Sequence, residues 1–479
     1  MREVEVSAVP LSRLARVIPP ERVARLELDE VRARQLLAGR TVWNVNSTAQ
    51  GGGVAEMLQT MLAYGLGAGI KTRWFVLTGD QRFFAVTKRL HNMLHGFPGD
   101  GADLDTADME HYLAVLARNL DGWKDLVSSG DVVLLHDPQT AGMVEPLRRL
   151  GATVVWRCHI GADQANEHTE RGWAFLRPFA EAADACVFSR RAYAPRWLPA
   201  QRVVVIPPSL DPFSAKNAEL TAHDVRAALH RAGLVSRLTG DGSLAYTRRD
   251  GEPGEVRAHH GLLLDEDRPL PPDAQVMLQV SRWDRLKDMA GVLTGFSDHL
   301  DLFPDDVHLL LVGPDVSGVT DDPEGTQVLR ECRDLRAALP ASKRARIHLC
   351  CLPMDDVDEN AHLVNALQRH ATVVVQKSLL EGFGLTVTEP MWKQRPVVAS
   401  AVGGITDQIE DDVSGVLLHD PTDLDRFASL AAGVFADPGR RERLGIAAHN
   451  RVVDEYLGDR HLIQYGDLFA TLLAGSTPR

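Results

Sequence analysis

The stretch TVVVQKSLLEGFGLTVTEPMWK, residues 372–393, combines an apolar run, a glycine-containing loop and the first turns of a helix. The run at 372–376 is short and rich in valine, which is typical of a parallel strand buried on both faces. Residues 387–393 predict the opening of a helix. Glu381 would then lie in the loop that leaves the strand, and Glu389 about a turn into the helix. A strand that leads into a helix in this way is the repeating unit of an α/β sheet.

Two carboxylates and two glycines in this stretch suit a ligand that carries both hydroxyl groups and negative charge. Gly382 and Gly384 let the backbone approach a ligand closely, and a helix N-terminus offers free N–H groups to an anion. Glu381 can accept hydrogen bonds from sugar hydroxyls and Glu389 from a ribose diol. The pattern favours a sugar nucleotide. The plain alternative is a surface loop whose helix happens to carry glutamates.

The composition is that of an ordinary globular protein. The 479 residues are 44% hydrophobic and 24% charged, which predicts two or more domains with sizeable cores. A formal net charge of −13 argues against a broad nucleic-acid surface or a basic membrane patch. The N-terminus is interrupted by charges and prolines, and no apolar run of about 18 residues occurs, so neither a signal peptide nor a membrane-spanning helix is expected. We expect a cytoplasmic enzyme.

The five cysteines predict neither a disulfide framework nor a zinc motif, because their number is odd and CxxC spacing is absent. Buried free thiols in a reducing compartment are the expected state. The residues concerned are Cys158, Cys186, Cys332, Cys350 and Cys351.

Strand candidates alternate with helical stretches along both halves of the chain. Such alternation predicts an α/β protein with two Rossmann-like doubly wound domains that face each other across a cleft. The first half has strand candidates at 41–46, 72–77, 132–135, 153–156, 185–188 and 203–206, with helices at 54–64, 112–119 and 173–181. The second half has strand candidates at 276–280, 308–312, 346–349, 373–376, 396–400 and 415–418.

The proline-rich sequence PPSLDP, residues 207–212, interrupts this alternation and predicts an interdomain connection. Residues 236–272 fit neither alternation, and the turn DGEPG at 250–254 suggests the tip of a hairpin in an inserted, solvated excursion. The expected organisation is an N-terminal segment 1–40, a Rossmann-like domain 41–206, a hinge 207–215, a second Rossmann-like domain 216–455 and a C-terminal helix 456–479 that returns towards the first domain.

Candidate site residues of the first domain follow its predicted strands, at the edge where open α/β sheets bind ligands. The loop NSTAQGGG, residues 46–53, joins a strand to a helix, and its three glycines remove side chains where a substrate would approach. A plain tight turn is the alternative, and the GxGxxG spacing of dinucleotide sites is absent. His136 and Asp137 end one strand and His159 another. They can bond sugar hydroxyls or serve the fold, and no metal-binding spacing supports a metal site.

In the second domain, QVSRWDRLKD at 279–288 follows the first strand. Arg282 and Lys287 lie five positions apart in a strand-to-helix loop, where they can converge on a diphosphate or form a surface charge pair. The glycine turn AVGGIT, residues 401–406, follows the strand at 396–400 and is either part of the same pocket or a plain turn.

These motifs together resemble family-4 retaining glycosyltransferases of the GT-B type, through SRWDRLK (281–287) and EGFGLTVTE (381–389). Within that family, VWNVNSTAQGGGVAEML (42–58), HDPQTAGM (136–143), WRCHIGA (156–162) and QKSLLEGFGLTVTEPMWK (376–393) are similar to the glycosyl-transferring trehalose synthases. The resemblance covers most of residues 40–460. The insertion at 236–272 departs from it.

The resemblance implies a role for each matching position. Arg282 and Lys287 would neutralise the donor diphosphate, Glu381 would bond the donor sugar, His159 the transferred glucose and Glu389 the ribose. The implied catalytic residues are thus Arg282, Lys287, Glu381 and His159. The implied nucleotide-binding residues are Glu389, Gly382, Gly384 and Leu385. The implied acceptor and phosphate loop comprises Gly51, Gly52, Gly53, Asn46, His136 and Asp137.

The implied reaction moves glucose from a nucleoside diphosphate glucose to glucose and forms trehalose with retention. A front-face displacement is favoured, and no metal or other cofactor is required because Arg, Lys and a helix end can supply the positive charge. Three alternatives stay open: a trehalose phosphorylase that uses glucose 1-phosphate, a non-catalytic sugar-nucleotide sensor, and an epimerase. The expected partners are the nucleotide-sugar donor and the glucose acceptor. The nucleobase and the choice between monomer and homodimer are left open.

The acceptor is expected to be free glucose rather than glucose 6-phosphate. The loops 46–53 and 136–142 carry no Lys or Arg that could hold a phosphate. The exception is 79–95, where Arg82, Lys88 and Arg89 cluster; if this segment folded over the site, it could bind a phosphate. The i, i+7 spacing of Arg82 and Arg89 favours one helical face, and a solvated face is the alternative. Arg157 is expected to point into the fold or to Asp163. The strings DLD at 103–105 and 423–425 are expected to be surface or capping residues.

Overall fold

The computed structural model describes residues 1–49, 53–236, 242–264, 269–316 and 323–474. The chain divides into two compact units, which we call the first and the second unit. The first unit contains Met1–Leu210 together with Tyr456–Arg479, and the second contains Asp211–Glu455. The first boundary lies within the proline-rich segment 207–215.

The first unit is built on a seven-stranded sheet with the order β1-β3-β2-β4-β5-β6-β7, parallel except for β1 at the edge. The strands β2 and β4 are buried at every position, and apart from Asn44, Asn46 and His136 their residues are apolar. Its elements up to residue 205 are β1 (Arg2–Val4), α1 (Pro20–Leu36), β2 (Val42–Asn46), α2 (Gly53–Gly67), β3 (Thr72–Val76), α3 (Gln81–Leu94), α4 (Thr106–Asp121), β4 (Val132–His136), α5 (Val144–Arg149), β5 (Thr153–Cys158), α6 (Glu167–Ala182), β6 (Ala185–Phe188) and β7 (Val203–Val205).

The second unit is built on a six-stranded parallel sheet with the order β12-β11-β10-β13-β14-β15. The chain order reverses between β10 and β13, which is where such sheets bind ligands. The elements are α7 (Ala222–Arg231), β8 (Ala245–Thr247), β9 (Pro253–Glu255), β10 (Gln275–Val280), α8 (Met289–Asp298), β11 (Val307–Pro314), α9 (Pro323–Ala338), α10 (Ala341–Arg344), β12 (Ile347–Leu352), α11 (Val357–His370), β13 (Val373–Gln376), α12 (Leu385–Trp392), β14 (Val397–Ser400), α13 (Ile405–Gln408), β15 (Val416–Leu418), α14 (Leu424–Ala436) and α15 (Pro438–Glu455).

The last helix, α16 (Gly458–Ala474), returns to the first unit. Its side chains Tyr465, Leu468 and Phe469 pack against strand residues such as Val42 and Leu134 on one face of the seven-stranded sheet. Because α1 packs on α16, two helices from distant parts of the chain cover the same face of the sheet.

The segment 79–95, which carries the clustered cations Arg82, Lys88 and Arg89, is mostly helical. It forms helix α3, whose N-terminus is capped by the Asp80 side chain, which accepts from the Phe83 N–H at 2.9 Å. Arg82 and Arg89 both form ion pairs with Asp108, and Arg89 also pairs with Asp100. Arg82 and Arg89 thus belong to one helix, as their i, i+7 spacing indicates, and carboxylates engage both of them.

The insertion is attached to the second unit more firmly than a solvated excursion. As the turn at 250–254 predicts, β8 and β9 form a hairpin, and Arg248 makes a two-pronged ion pair with Asp356 at the start of α11. Arg257 and His259 both contact the buried carboxylate of Glu359. Further on, Leu264 N–H donates to the Leu349 carbonyl of β12 at 2.9 Å. Residues 237–241 and 265–268 of the insertion lie outside the described residues.

Three further sequence predictions concern the cysteines, the two DLD strings and membrane-spanning helices. All five cysteines are free, and four of them are buried. Asp105 caps α4 and Asp423 caps α14, as expected for the two DLD strings. Over the described ranges, no helix is both long and apolar enough to cross a membrane.

Candidate functional site

An ion pair between Lys287 and Glu381 lies where the two central strands of the second unit end. Lys287 Nζ lies 2.6 Å from Glu381 Oε2, and the two side chains are 16% and 10% exposed. Lys287 follows β10 and Glu381 follows β13, so the pair marks the point where the strand order reverses. A cation and a carboxylate held together at this edge can engage the charge and the hydroxyl groups of one ligand.

Main-chain contacts fix the two loops that carry this pair. Gln279, near the end of β10, donates from Nε2 to the Lys287 carbonyl at 2.7 Å and accepts the Lys377 N–H at 3.2 Å. Leu379 N–H donates to the Leu286 carbonyl at 2.8 Å. The pair is therefore positioned by the strand ends rather than by flexible side chains alone.

A second ion pair, between Lys377 and Asp288, lies at the same edge of the sheet. Lys377 is 1% exposed, and its ammonium group contacts the Asp288 carboxylate and donates to the Pro421 carbonyl at 2.7 Å. Asp288 has a left-handed backbone with φ of 49° and caps α8. Asp288 and Lys377 lie at the ends of the segments 279–288 and 376–393, but their pairing could not be predicted because 89 positions separate them.

The glycines of the second unit are needed for the close approach of two loops. Gly384 precedes α12 with φ of 89°, a conformation that favours glycine, and Leu385 begins the helix. Gly404 N–H donates to the Gly382 carbonyl at 3.1 Å. A Cβ atom at Gly404 would lie 2.6 Å from the Phe383 backbone, so any larger residue would push the loops apart.

Glu389 and Arg282 lie in contrasting surroundings. Glu389 is 5% exposed; its Oε2 accepts from Gln368 Nε2 at 3.2 Å and its Oε1 lies 3.4 Å from Lys216 Nζ. The Arg282 side chain is 63% exposed and pairs with Asp284 at 2.8 Å. The structure thus brings Lys287 and Glu381 together, while Arg282 is held beside Asp284.

The carboxyl edge of the first unit carries a chain of hydrogen bonds, which we call the histidine chain, through Arg157, His159, His136 and Asn44. Arg157 Nε donates to His159 Nδ1 at 3.4 Å, His159 Nε2 lies 3.1 Å from His136 Nδ1, and His136 Nε2 lies 3.1 Å from Asn44 Oδ1. Because arginine can only donate, each imidazole carries its proton on Nε2 and passes a hydrogen bond towards Asn44.

Both imidazoles of the histidine chain are neutral. Burial, together with a smaller effect of the nearby Arg157 charge, lowers the pKa of His136 to about 3. Burial also lowers the pKa of His159 well below its usual value, with added repulsion from Arg157. Arg157 itself is buried and donates to the Ile206 carbonyl at 2.7 Å and to Ser189 Oγ at 3.2 Å. Of the two orientations expected for Arg157, the inward one is confirmed; Asp163 pairs with Arg190 instead.

Asp137 lies next to this chain in a left-handed backbone conformation with φ of 63°. Its Oδ1 accepts the His159 N–H at 2.8 Å, and its own N–H donates to the Arg157 carbonyl at 2.8 Å. Burial raises the pKa of Asp137 to about 7, although the His159 N–H and Arg157 oppose this shift. A carboxyl group with such a pKa can exchange a proton near neutral pH.

The glycine loop of the first unit is described only at its two ends. Asn46 is 3% exposed; its Oδ1 accepts from Trp74 Nε1 at 2.9 Å and its Nδ2 donates to the Thr48 carbonyl at 2.7 Å. Gly53 is the first residue of α2. Gly51 and Gly52 lie outside the described residues. The Asn46 side chain thus orders the start of the loop.

Sequence reasoning missed Asn44 and His461 as members of this edge, and it placed Arg157 inside the fold without linking it to His159. His461, from α16, is buried and its Nδ1 lies 2.7 Å from Ser209 Oγ. The available signal was the polar residue at alternate positions of VWNVN, since Asn44 and Asn46 face the same side of a strand. His461 could not be found this way, because it comes from a helix more than 250 residues away.

Across the residues described here, no group of three or more His, Cys, Asp or Glu side chains is arranged to hold a metal ion. The candidate site consists of ion pairs in the second unit and, in the first, of two neutral histidines and Asn44 in contact with Arg157 and Asp137.

Comparison with protein families and relatives gives consistent matches over the whole chain. Residues 44–195 match the family profile Trehalose synthase, N-terminal domain, and residues 264–451 match Glycosyl transferases group 1. The chain is 32% identical over 460 residues to a trehalose synthase of Pyrococcus horikoshii, covering 95% of each protein. It is 33% identical over 453 residues to a trehalose synthase of Rubrobacter xylanophilus, covering 93% of this chain and 94% of that one.

More distant matches extend to another activity and to solved structures. A trehalose phosphorylase of Pleurotus pulmonarius is 25% identical over 450 residues, which cover 89% of this chain and 56% of that protein. An α,α-trehalose 6-phosphate synthase from Burkholderia multivorans has a TM-score of 0.66 at 16% identity, covering 91% of this chain and 100% of that one. At this identity the structural match shows the fold alone, two Rossmann-like domains of the GT-B class.

Proposed function

Because the chain belongs to the trehalose synthase family of glycosyltransferases, we propose that it transfers glucose from a nucleoside diphosphate glucose to free glucose. The product is α,α-trehalose, formed with retention at the donor carbon. Trehalose-related glycosyl transfer follows from the family; the donor and the acceptor are the proposed part.

The observation that carries the proposal is the Lys287–Glu381 ion pair at the strand-order reversal of the second unit. When the bond between glucose and the diphosphate breaks, negative charge grows on the leaving phosphate. Lys287 can neutralise this charge, and Glu381, already in contact with Lys287, can accept hydrogen bonds from the donor sugar. Preorganised groups of this kind stabilise the transition state without having to move.

Arg282, Glu389 and the α12 N-terminus are proposed to complete donor binding. The exposed Arg282 would exchange Asp284 for the diphosphate. Glu389 would bind the ribose with its carboxylate, which Gln368 and Lys216 contact in this structure. Gly382, Gly384 and Leu385 would place main-chain N–H groups beside the phosphates.

The first unit is proposed to bind the acceptor through neutral groups. His136 and His159 are uncharged, and Arg157 is engaged by main-chain and hydroxyl partners inside the fold. Arg82 and Arg89 are committed to Asp108 and Asp100. A neutral sugar suits this edge better than a phosphorylated one, since a dianion would need an available cation. His159 as a contact of the transferred glucose, and the loop 51–53 beside the phosphate, stay predictions.

Proton transfer and charge are handled by side chains and substrate in this proposal. The leaving phosphate would take the acceptor proton in a front-face displacement, and Lys287, Arg282 and the helix end would supply the positive charge. Turnover should then persist in EDTA, and a loss restored by Mg²⁺ would contradict this part of the proposal. The five free thiols suit a reducing, cytoplasmic location.

A donor-by-acceptor matrix tests the proposed function. Nucleoside diphosphate glucoses with different bases and glucose 1-phosphate are each paired with glucose and with glucose 6-phosphate, and products are identified. Trehalose together with released nucleoside diphosphate, preferentially from free glucose, is the expected result. Trehalose and inorganic phosphate from glucose 1-phosphate would identify a phosphorylase instead. A preference for glucose 6-phosphate would overturn the acceptor assignment.

A further inference from the structure

A cavity of about 500 Å³ lies within the first unit, on the face of the sheet covered by α1, α2 and α16. Its wall is mainly apolar, with Val42 and Leu134 from the strands and Met61 and Phe469 from the helices. The volume falls in the range of small-molecule sites, and a mainly apolar wall with few polar groups is their usual composition.

Two buried polar groups in the cavity wall have no hydrogen-bond partner among the described residues. They are Asn44 Nδ2, on a side chain that is 0% exposed, and the Tyr465 hydroxyl, on a side chain that is 4% exposed. A buried amide or hydroxyl without a partner is costly, so each is expected to bond something that enters the cavity.

The histidine chain determines which group of the Asn44 side chain is available for a hydrogen bond to a ligand. Because His136 Nε2 donates to Asn44 Oδ1, the amide oxygen is occupied and the Nδ2 group is left as a donor. The ligand must therefore present an acceptor, such as a carbonyl or ether oxygen. Tyr465 can donate to the same oxygen or to a second one.

The charges around the cavity decide against an anion. Arg32 is the one lining cation in the described part of the chain; it is 69% exposed and pairs with Asp29 at 3.2 Å, while Glu30 pairs with Arg34. A carboxylate ligand would therefore enter a mainly apolar cavity that offers no buried cation to pair with.

We propose that this cavity binds a neutral, mainly apolar small molecule whose oxygen accepts a hydrogen bond from Asn44 Nδ2. The site is separate from the proposed donor site of the second unit. It is joined to the acceptor-side histidine chain through the one Asn44 side chain, so its ligand acts directly on the partner of His136.

Acetophenone, ethylbenzene and benzoate form a matched set of probes for calorimetry with the full-length protein. They share an aromatic body but carry a neutral acceptor, no acceptor and an anion, respectively. Acetophenone should bind saturably and about fivefold more tightly than ethylbenzene, as expected for one net hydrogen bond. Benzoate should not bind. Equal affinity for the first two, or preferred benzoate binding, would overturn the proposal.

Gly466→Leu is the blocking variant, since a Cβ atom at Gly466, which lines the cavity, meets nothing within 4 Å. The change removes a helix glycine, so the protein should fold at least as well while acetophenone binding is lost. Thr471→Leu, exposed on the same helix, is the matched control and should bind normally. Unchanged acetophenone binding in Gly466→Leu would place the ligand elsewhere and refute the site.

Two further readouts test the polar anchor. Tyr465→Phe should leave ethylbenzene affinity unchanged and bring acetophenone affinity closer to it. Acetophenone should also shift the ring-nitrogen resonances of His136 in the parent protein but not in Gly466→Leu. Absence of that shift, or a crystal structure in which waters stay on Asn44 and Tyr465 in the presence of acetophenone, would contradict the proposed contact.

Discussion

The carboxyl edge of the second unit is organised by ion pairs, whereas that of the first unit is organised by neutral hydrogen bonds. Lys287 pairs with Glu381 and Lys377 with Asp288 at the second edge. At the first edge, Arg157 orders two uncharged histidines and an asparagine. The difference matches the proposed reaction: a diphosphate donor would need the cations of the second edge, and the hydroxyl groups of a neutral acceptor would need the hydrogen-bonding groups of the first.

The largest expected effect comes from removing the cation of the charged edge. Lys287→Ala should lower kcat by about 10²–10³-fold, roughly 3–4 kcal/mol of transition-state stabilisation, because one preorganised contact to the leaving phosphate is lost. Steady-state kinetics with the donor identified by the matrix measures this.

Arg285→Ala is the matched control for Lys287→Ala. Arg285 lies two residues away, is 49% exposed and pairs with Glu331 on the surface, so its loss should change kcat little. Near-normal turnover of folded Lys287→Ala would show that Lys287 does not stabilise the leaving phosphate. Equal losses in both variants would point to a general effect of net charge.

The next effect concerns the packing that aligns the charged edge. Gly404→Ala should destabilise the protein by about 1–3 kcal/mol, since the new Cβ would lie 2.6 Å from the Phe383 backbone. Denaturant unfolding measures the change. Gly433→Ala within α14 is the control, because its nearest neighbour is 3.6 Å away and a helix should gain about 0.5–1 kcal/mol. Equal stability of the two variants would refute the close approach of the loops.

At the edge of the first unit, the raised pKa of Asp137 predicts that the stability of the protein depends on pH. Its pKa in the folded protein is raised from 3.8 to about 7, so between these values the folded state holds the proton more tightly than the unfolded chain. The contribution of Asp137 to stability should therefore decline as the pH rises through this window.

Asp137→Asn removes this titration. The free energy of unfolding of the parent protein minus that of the variant should fall steadily from pH 4 to about pH 8. Measuring both proteins at each pH cancels the opposite contribution of His136, whose pKa is lowered. Parallel profiles would mean that the Asp137 carboxyl group is not buried in a perturbed environment.

The smallest effect tests whether the first unit holds a phosphate-binding cation. The double variant Arg82→Ala, Lys88→Ala should keep the ratio of kcat/KM for glucose and glucose 6-phosphate within about twofold, because an exposed arginine paired with Asp108 contributes little free energy. A fall in kcat/KM for glucose 6-phosphate alone would show that the first unit does hold a phosphate-binding cation.

Much of the fold was predictable because it depends on local pattern. The valine-rich strands, the alternation with helices and the position of Glu381 between β13 and α12 all follow from short segments. The edge strand β1 was missed, because it has only three residues. The helix α3 was indicated only by the i, i+7 spacing of Arg82 and Arg89, and its buried apolar face was not used.

The sequence by itself determined which residue types leave the strands at the ligand-binding edge: glycines, two glutamates, an arginine and a lysine in one half, and histidines beside an aspartate in the other. Each of these residues belongs to a single strand-loop-helix unit, so its spacing from the strand predicts its position at the edge of the sheet.

Only the tertiary structure decided the partners. Lys287 meets Glu381 across 94 positions, and His136 meets Asn44 across 92. Burial then fixed the protonation of the histidines and the raised pKa of Asp137. The cavity beside Asn44 likewise exists only because α1 and α16, from opposite ends of the chain, cover the same sheet face. Charge state and cavities depend on neighbours brought together by folding, which no local pattern records.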